Sequence, residues 1–311
     1  MDGVIVINKP AGLTSSAVVL AVKRMLGARK VGHTGTLDPL ATGVLPLCIN
    51  EGTKLAPFFL QSDKEYVATL RLGIETDTQD KEGAIIRQTE VIPHDREQIL
   101  NAVKAFQGTV LQTPPMFSAL KHKGTPLYRI ARAGGSVPRQ PREITIYSIA
   151  MLSCDVPFVT VAVCCSRGTY IRTLCADIGR RLSCGAHLTA LQRVRSGAFH
   201  INEALELEDV RAGAAIGFVR EHIIPLNAAL TGMPELVVAQ ALIEKIRQGM
   251  QIRARDMEGS ALQQLVAGQT AKIVSPDGRL VAVVECSPQR DSGAADELQH
   301  PAWKTLRTFM N

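Results

Sequence analysis

Apolar residues along this chain fall into short runs with two distinct periods. Residues 64–72, Lys-Glu-Tyr-Val-Ala-Thr-Leu-Arg-Leu, alternate, which puts Tyr66, Ala68, Leu70 and Leu72 on one face of a strand. Ile171, Leu174, Cys175, Ile178 and Leu182 recur at helical spacing, so a helix there turns that stripe inward. Val4 to Asn8, Ile144 to Leu152 and Phe158 to Cys165 read as strands, and Val44 to Ile49 as a buried one. Thr14 or Ser15 can cap a helix that runs to about Leu26 and stops at Gly27. Thr53 to Leu60 and Asp95 to Phe106 are further helices, the second ending before Gly108. Near the end, Ala271 to Val274 and Leu280 to Glu285 flank Ser275-Pro276-Asp277-Gly278, a strand–turn–strand pattern.

Composition narrows the classes. A hydrophobic share of 46% over 311 residues supports a packed core, with room for one large domain and a small one. No apolar run approaches the length of a membrane span, and Met1-Asp2-Gly3-Val4 does not begin a signal peptide. The seven cysteines are odd in number and contain no Cys-x-x-Cys pair. Reduced core thiols in a cytoplasmic protein are therefore expected, rather than a disulfide framework or a zinc site.

Charge adds a direction. Lys plus Arg number 35 against 29 Asp plus Glu, which suits a nucleic-acid binder. Between Thr113 and Arg142 there are six cations (Lys121, Lys123, Arg129, Arg132, Arg139 and Arg142) and no acid. Such a block attracts phosphate without reading sequence, although a solvated basic loop would look the same. An amphipathic piece near Leu127 to Ala133 interrupts it.

The chemistry concentrates in Gly32-His33-Thr34-Gly35-Thr36-Leu37-Asp38-Pro39-Leu40-Ala41-Thr42-Gly43. Asp38 is the only acid between Asp2 and Glu51, in a window holding Lys9, Lys23, Arg24, Arg29 and Lys30. Such surroundings favour an ionised carboxylate. Pro39 biases Asp38 toward an extended backbone. A bare Asp-Pro would be read as an Asx turn, but that leaves twelve residues of turn chemistry between core segments unexplained.

The run GHTGTLDPLATGVLPL closely resembles the active-site loop of the TruB family of tRNA pseudouridine synthases. Three further stretches resemble that family in the same order: Asn8-Lys9-Pro10-Ala11-Gly12, Cys165 to Leu174, and Leu188 to Arg195. Phe117 and Gln192 depart from it, standing where tyrosine and arginine are more usual. The resemblance is strong over Val4 to Leu230 and weak beyond. It implies an α+β fold on a mixed, mainly antiparallel sheet. Residues 1–232 would be the catalytic domain, with a tRNA-gripping insertion over 113–142. Residues 233–311 would be a small β-rich PUA-like RNA-binding domain, with Gln289 to Gln299 as a flexible insertion.

The implied activity is isomerisation of the T-loop uridine of tRNA (position 55) to pseudouridine, with no cofactor, no metal and no obligatory protein partner. By the same resemblance Asp38 is the catalytic carboxylate, Arg172 pairs with it, and Tyr66 stacks on the uracil. Tyr170 and Leu191 close the pocket, and His33 fills the space left by the flipped nucleotide. Lys9 is expected either to contact substrate phosphate or to support the loop.

Three other functions use similar features. A guide-RNA-dependent synthase shares the motifs, but the long basic insertion favours an enzyme that grips tRNA itself. A non-catalytic RNA-folding protein would not need Asp38, Tyr66 and Arg172 together. A nucleoside hydrolase or glycosylase would release free uracil, which an isomerase does not.

Overall fold

The computed structural model describes residues 1–212, 217–250, 252, 266–287 and 302–309. In its first third, β1 (Gly3–Lys9), β2 (Val31–His33) and β3 (Thr42–Ile49) surround α1 (Ser15–Met25), and α2 (Ala56–Leu60) follows a 3-10 turn over Asn50–Leu55. Then come β4 (Lys64–Leu72), β5 (Ile74–Thr76), β6 (Ile85–Gln88), α3 (Arg96–Lys104) and β7 (Gly108–Gln112). A small hairpin, β8 (Lys121–His122) with β9 (Thr125–Pro126), leads into α4 (Leu127–Arg132). Long strands β10 (Arg142–Asp155) and β11 (Phe158–Cys165) precede α5 (Ile171–Arg181) and β12 (Ala186–Ser196). The remainder comprises β13 (Phe199–His200), β14 (Leu205–Glu206), α6 (Leu207–Ala212), α7 (Gly217–Glu221), α8 (Leu226–Ala229), β15 (Glu235–Val237), α9 (Gln240–Arg247), β16 (Thr270–Val274), β17 (Leu280–Ser287) and β18 (Ala302–Thr308).

One ten-stranded sheet carries the architecture, in the order β14-β1-β3-β12-β4-β11-β10-β7, with β2 on β3 and β13 on β12. Its pairings are antiparallel except β1–β14 and β3–β12, so the expected mixed, mainly antiparallel sheet is present. The parallel pair matters most. It inserts β12 between β3 and β4, bringing Arg193 beside Gly43 on one side and Tyr66 on the other.

Both faces of β1 and β3 are covered. Ile5, Ile7, Leu45 and Leu47 pack with Val18 and Val22 of α1. Val4, Val6, Val44 and Cys48 face Phe59, Phe199 and Leu226, together with Val274, Leu280, Val283 and Phe309 from the end of the chain. A strand buried on both faces reads as an unbroken apolar run, which is how Val4 to Asn8 and Val44 to Ile49 appear. On β4 the alternation holds: Ala68, Leu70 and Leu72 are buried while Arg71 is exposed. In α5 the stripe Ile171, Leu174, Cys175 and Ile178 is buried. The thiols of Cys48 and Cys165 lie in this core, and burial pushes both up to about 12.

The C-terminal strands form a separate four-stranded sheet, β15-β16-β17-β18, over its own apolar cluster. The expected hairpin is β16–β17, closed at Ser275, whose N–H donates to Arg279 O. This sheet is tied to the larger one: Lys54 Nζ donates to Thr308 O at 2.9 Å, and Lys272 Nζ to Asn227 O at 3.1 Å. The stretch Gln289 to Gln299 lies outside the described residues.

Candidate active site

The Gly-His-Thr-Gly loop is held from behind by two buried polar side chains. Ser15, 2% exposed, uses its hydroxyl both to accept from Leu37 N and to donate to Leu37 O. Lys9 is fully buried, and its ammonium donates to Pro10 O, Leu13 O and Pro39 O at 2.7, 2.6 and 3.2 Å. Burial lowers Lys9 to about 8, with Asp38 acting in the opposite direction. Of the two expectations for Lys9, support of the loop fits this geometry, because all three of its donors are used by carbonyls. From the front, Arg193, only 1% exposed, donates to Val44 O at 2.7 Å and Gly35 O at 3.1 Å.

Asp38 is thereby presented to Arg172 from the first turn of α5. Arg172 Nε lies 2.9 Å from Asp38 Oδ2, and Nη2 donates to Asp38 Oδ1 at 3.3 Å. The guanidinium is itself fixed: Nη1 donates to Thr78 O at 3.0 Å and Nη2 to Phe117 O at 2.7 Å. Because Phe117 contributes its carbonyl, its departure from tyrosine does not touch this contact. Nη1 also reaches Asp80 Oδ2 at 3.4 Å. Asp80 is 4% exposed and is held by Thr78 Oγ1 and Glu82 N.

Asp38 is thus alone in sequence but not in space. Burial raises its pKa, Arg172 opposes that, and the Asp80 charge raises it again. The expectation that surrounding cations alone set its ionisation needs this amendment.

These groups open onto a cavity of about 280 Å³, whose walls include Asp38, Tyr66, Tyr170, Arg172, Leu191 and Arg193. Tyr66 on β4 is opposite Arg193, and Leu191 is opposite Ala68, so alternation on two neighbouring strands aims both side chains into one space. Burial raises the Tyr66 pKa while Arg193 opposes the shift, leaving a neutral phenol at neutral pH. Tyr170 sits at the N-cap of α5, after the turn at Gly168 (φ +80°). The buried Gln112 amide brackets it, accepting from Tyr170 N at 2.8 Å and donating to Tyr170 O at 3.0 Å. His33 lies on β2, outside the cavity wall, and its Nδ1 faces Gly35 N at 3.4 Å. Burial and Arg193 lower its pKa, so the ring is neutral at neutral pH.

In the basic insertion, Lys121, Lys123, Arg129, Arg132 and Arg142 are exposed. Arg139 is half-buried, donating from Nη1 to Pro114 O at 2.9 Å. Arg132 lies over the Tyr128 ring. Sequence reasoning missed Asp80, Arg193, Gln112 and Lys64 as parts of the site. Lys64, 7% exposed, lines the cavity, and its ammonium donates to Leu60 O and Ser62 O. The position of Arg193 two residues after Leu191 on a strand was the available signal. Among the described residues no group of three or more His, Cys, Asp or Glu side chains could hold a metal ion.

The class comes from the family models, which describe pseudouridylate synthases, and the mixed sheet with its Asp–Arg pair beside an aromatic-walled pocket agrees with it. The fold is similar to that of an archaeal box H/ACA Nop10–Cbf5 complex, with a TM-score of 0.72 and 25% identity. That match covers 99% of this chain and 86% of the other. A Cbf5–Nop10–Gar1 complex aligns with a TM-score of 0.71 and 27% identity over 99% and 85%. The model for the N-terminal domain of TruB family pseudouridylate synthases matches residues 23–171, and that for the tRNA pseudouridylate synthase B C-terminal domain matches 172–231. The chain belongs to the TruB family. It is 43% identical to the tRNA pseudouridine synthase B of Syntrophus aciditrophicus, over 99% of both chains. It is 50% identical to that of Francisella philomiragia, over 68% of this chain and 70% of the other.

Proposed function

We propose that this protein isomerises the T-loop uridine of tRNA to pseudouridine, with Asp38 as the catalytic carboxylate. The observation that carries this reading is the Asp38–Arg172 pair at the wall of a pocket faced by Tyr66. The reaction breaks N1–C1′, turns the base over and joins C5 to C1′. C5 gives up a proton and N1 gains one, so no electrons enter or leave. Ionised Asp38 supplies what the chemistry requires, as a nucleophile for C1′ of the sugar or C6 of the base, or as a base for a sugar proton. Arg172 holds that carboxylate in place and favours its charged form. Tyr66, as a neutral phenol, serves as the platform for the detached uracil, with Leu191 and Tyr170 excluding water. His33, neutral and beside the loop, suits a wedge that replaces a flipped nucleotide rather than an acid or base.

The exposed cations Lys121, Lys123, Arg129, Arg132 and Arg142 grip the tRNA arm, and residues 233–311 act as a PUA-like RNA-binding domain beside the catalytic domain, 1–232. A cytoplasmic enzyme working alone on tRNA fits this arrangement. Among the described residues no helix is long and apolar enough to cross a membrane. Guide-dependent action is less favoured, because 43% identity over 99% of the chain links it to a tRNA synthase, against 25% for the Cbf5 complex.

The test is incubation of an unmodified tRNA transcript with the purified protein and with Asp38→Asn, mapping the product by position. Pseudouridine at the T-loop uridine, absent in the variant, is expected. Binding of the transcript without product by the wild-type protein would overturn the reading.

A further inference from the structure

A second cleft, of about 540 Å³, lies behind the wall that carries Arg172. Thr173 and Gln79, the residues that follow Arg172 and Thr78, line this cleft, and their side chains bond each other at 2.8 Å. Three arginines line the cleft: Arg139 from the basic insertion, and Arg180 and Arg181 from the last turn of α5. Phe106 and Leu111 supply an apolar floor, and Leu111 is 72% exposed.

The polar inventory here is unbalanced. Arg139 Nε is buried with no hydrogen-bond partner, and a buried donor left unmade is costly. Arg180 pairs with Asp177 three residues earlier, and its side chain is 70% exposed. So exposed a pair contributes little and exchanges readily for a stronger anion. Arg181 is exposed and has no ion pair among the described residues. Asp177 and the C-terminal carbonyls of α5 work against an anion. Three cations against one carboxylate still leave the cleft positive.

We infer that this cleft is a subsite for RNA backbone phosphate, in which Arg139, Arg180 and Arg181 hold the strand that continues past the reacting uridine. The subsite rests on the reading of this chain as an enzyme acting on tRNA, and extends the RNA path from the basic insertion onto α5. Arginine forks suit a phosphodiester, and the exposed Leu111 beside them suits the face of a ribose or base rather than a free inorganic ion.

The full-length protein should be compared with Arg180→Gln/Arg181→Gln and with Arg181→Gln alone, by equilibrium binding of unmodified tRNA across salt concentrations. The double variant is expected to bind roughly tenfold more weakly, and its slope of log K against log salt to fall by about one to two. Asp177→Asn is expected to tighten binding a few-fold. Wild-type affinity and slope in both arginine variants would overturn the subsite, whatever the wild-type protein does catalytically. Failure of the wild type to form pseudouridine, with the binding differences intact, would instead sink the functional reading and leave the subsite standing. A calorimetric titration with inorganic phosphate separates the two possible sources. Micromolar binding abolished by Arg181→Gln would overturn the RNA assignment in favour of a free-phosphate site, and no saturable heat supports it.

Discussion

Asp38 and Arg172 are 134 residues apart in the chain, yet their carboxylate and guanidinium meet edge to edge, at 2.9 and 3.3 Å. Apolar packing does most to position the helix that carries Arg172, with Gln112 bracketing its N-cap. Each buried apolar side chain of its stripe stabilises by roughly 1.5–3 kcal/mol, whereas a buried ion pair is close to neutral against an apolar replacement. The catalytic role proposed for Asp38 accounts for the pair. Arg172→Lys keeps the charge but loses the fork, so single-turnover pseudouridine formation should fall about 10²–10³-fold. Arg172→Ala leaves Asp38 and Asp80 without their cation and should destabilise by about 3–5 kcal/mol. Thermal melts beside the rate measurement separate these two outcomes.

The Asp38 pKa is raised in the folded protein, so its acid limb should lie above the ordinary carboxylate range. A carboxyl that holds its proton more tightly when folded favours the native state at low pH. That contribution fades as pH rises through the raised folded value. Relative to the wild type, the melting temperature of Asp38→Asn should therefore rise from acid toward neutral pH, while all activity is lost. A difference that instead falls over that range would contradict the raised pKa.

Asp80 adds to that shift through its charge. Asp80→Asn should move the acid limb of the pH–rate profile to lower pH, because one source of repulsion on ionised Asp38 is gone. An unmoved limb would mean that Arg172 screens Asp80 completely.

Lys9 tests support without contact. Lys9→Met leaves Pro10 O and Leu13 O without the Lys9 donor and Pro39 O with Gly12 N alone, at a cost of roughly 1–3 kcal/mol. The turnover rate should drop with the melting temperature, since Pro39 adjoins Asp38, while tRNA affinity changes little. A large loss of affinity would restore Lys9 to the phosphate contacts.

Gly43 has φ +101°, and a Cβ there would stand 2.2 Å from Arg193 O. Gly43→Ala should therefore separate β3 from β12 and be strongly destabilising, with Arg193 drawn away from Tyr66. Soluble expression and a melt decide this quickly.

How much of this could be read from the residues depended on distance along the chain. The strand at 64–72 and the α5 stripe were legible because period and burial coincide within a few residues. The loop chemistry around Asp38 was equally visible. Arg193 was not, because its meaning depends on β12 lying between β3 and β4, a pairing that local pattern does not encode. Asp80 sat in a tract with every mark of a solvated turn and was found buried against Arg172. Lys9 was divided between phosphate and support, and only the three carbonyls around it decide for support.

The placement of β12 also has a consequence for synthesis. As the chain leaves the ribosome, β3 and β4 emerge long before the strand that belongs between them. At about 5–20 residues per second the slot stays empty for on the order of ten seconds. For most of that time the nascent chain also lacks Arg172, and the unfilled slot is the place where a stalled or truncated product would expose unpaired backbone to its neighbours.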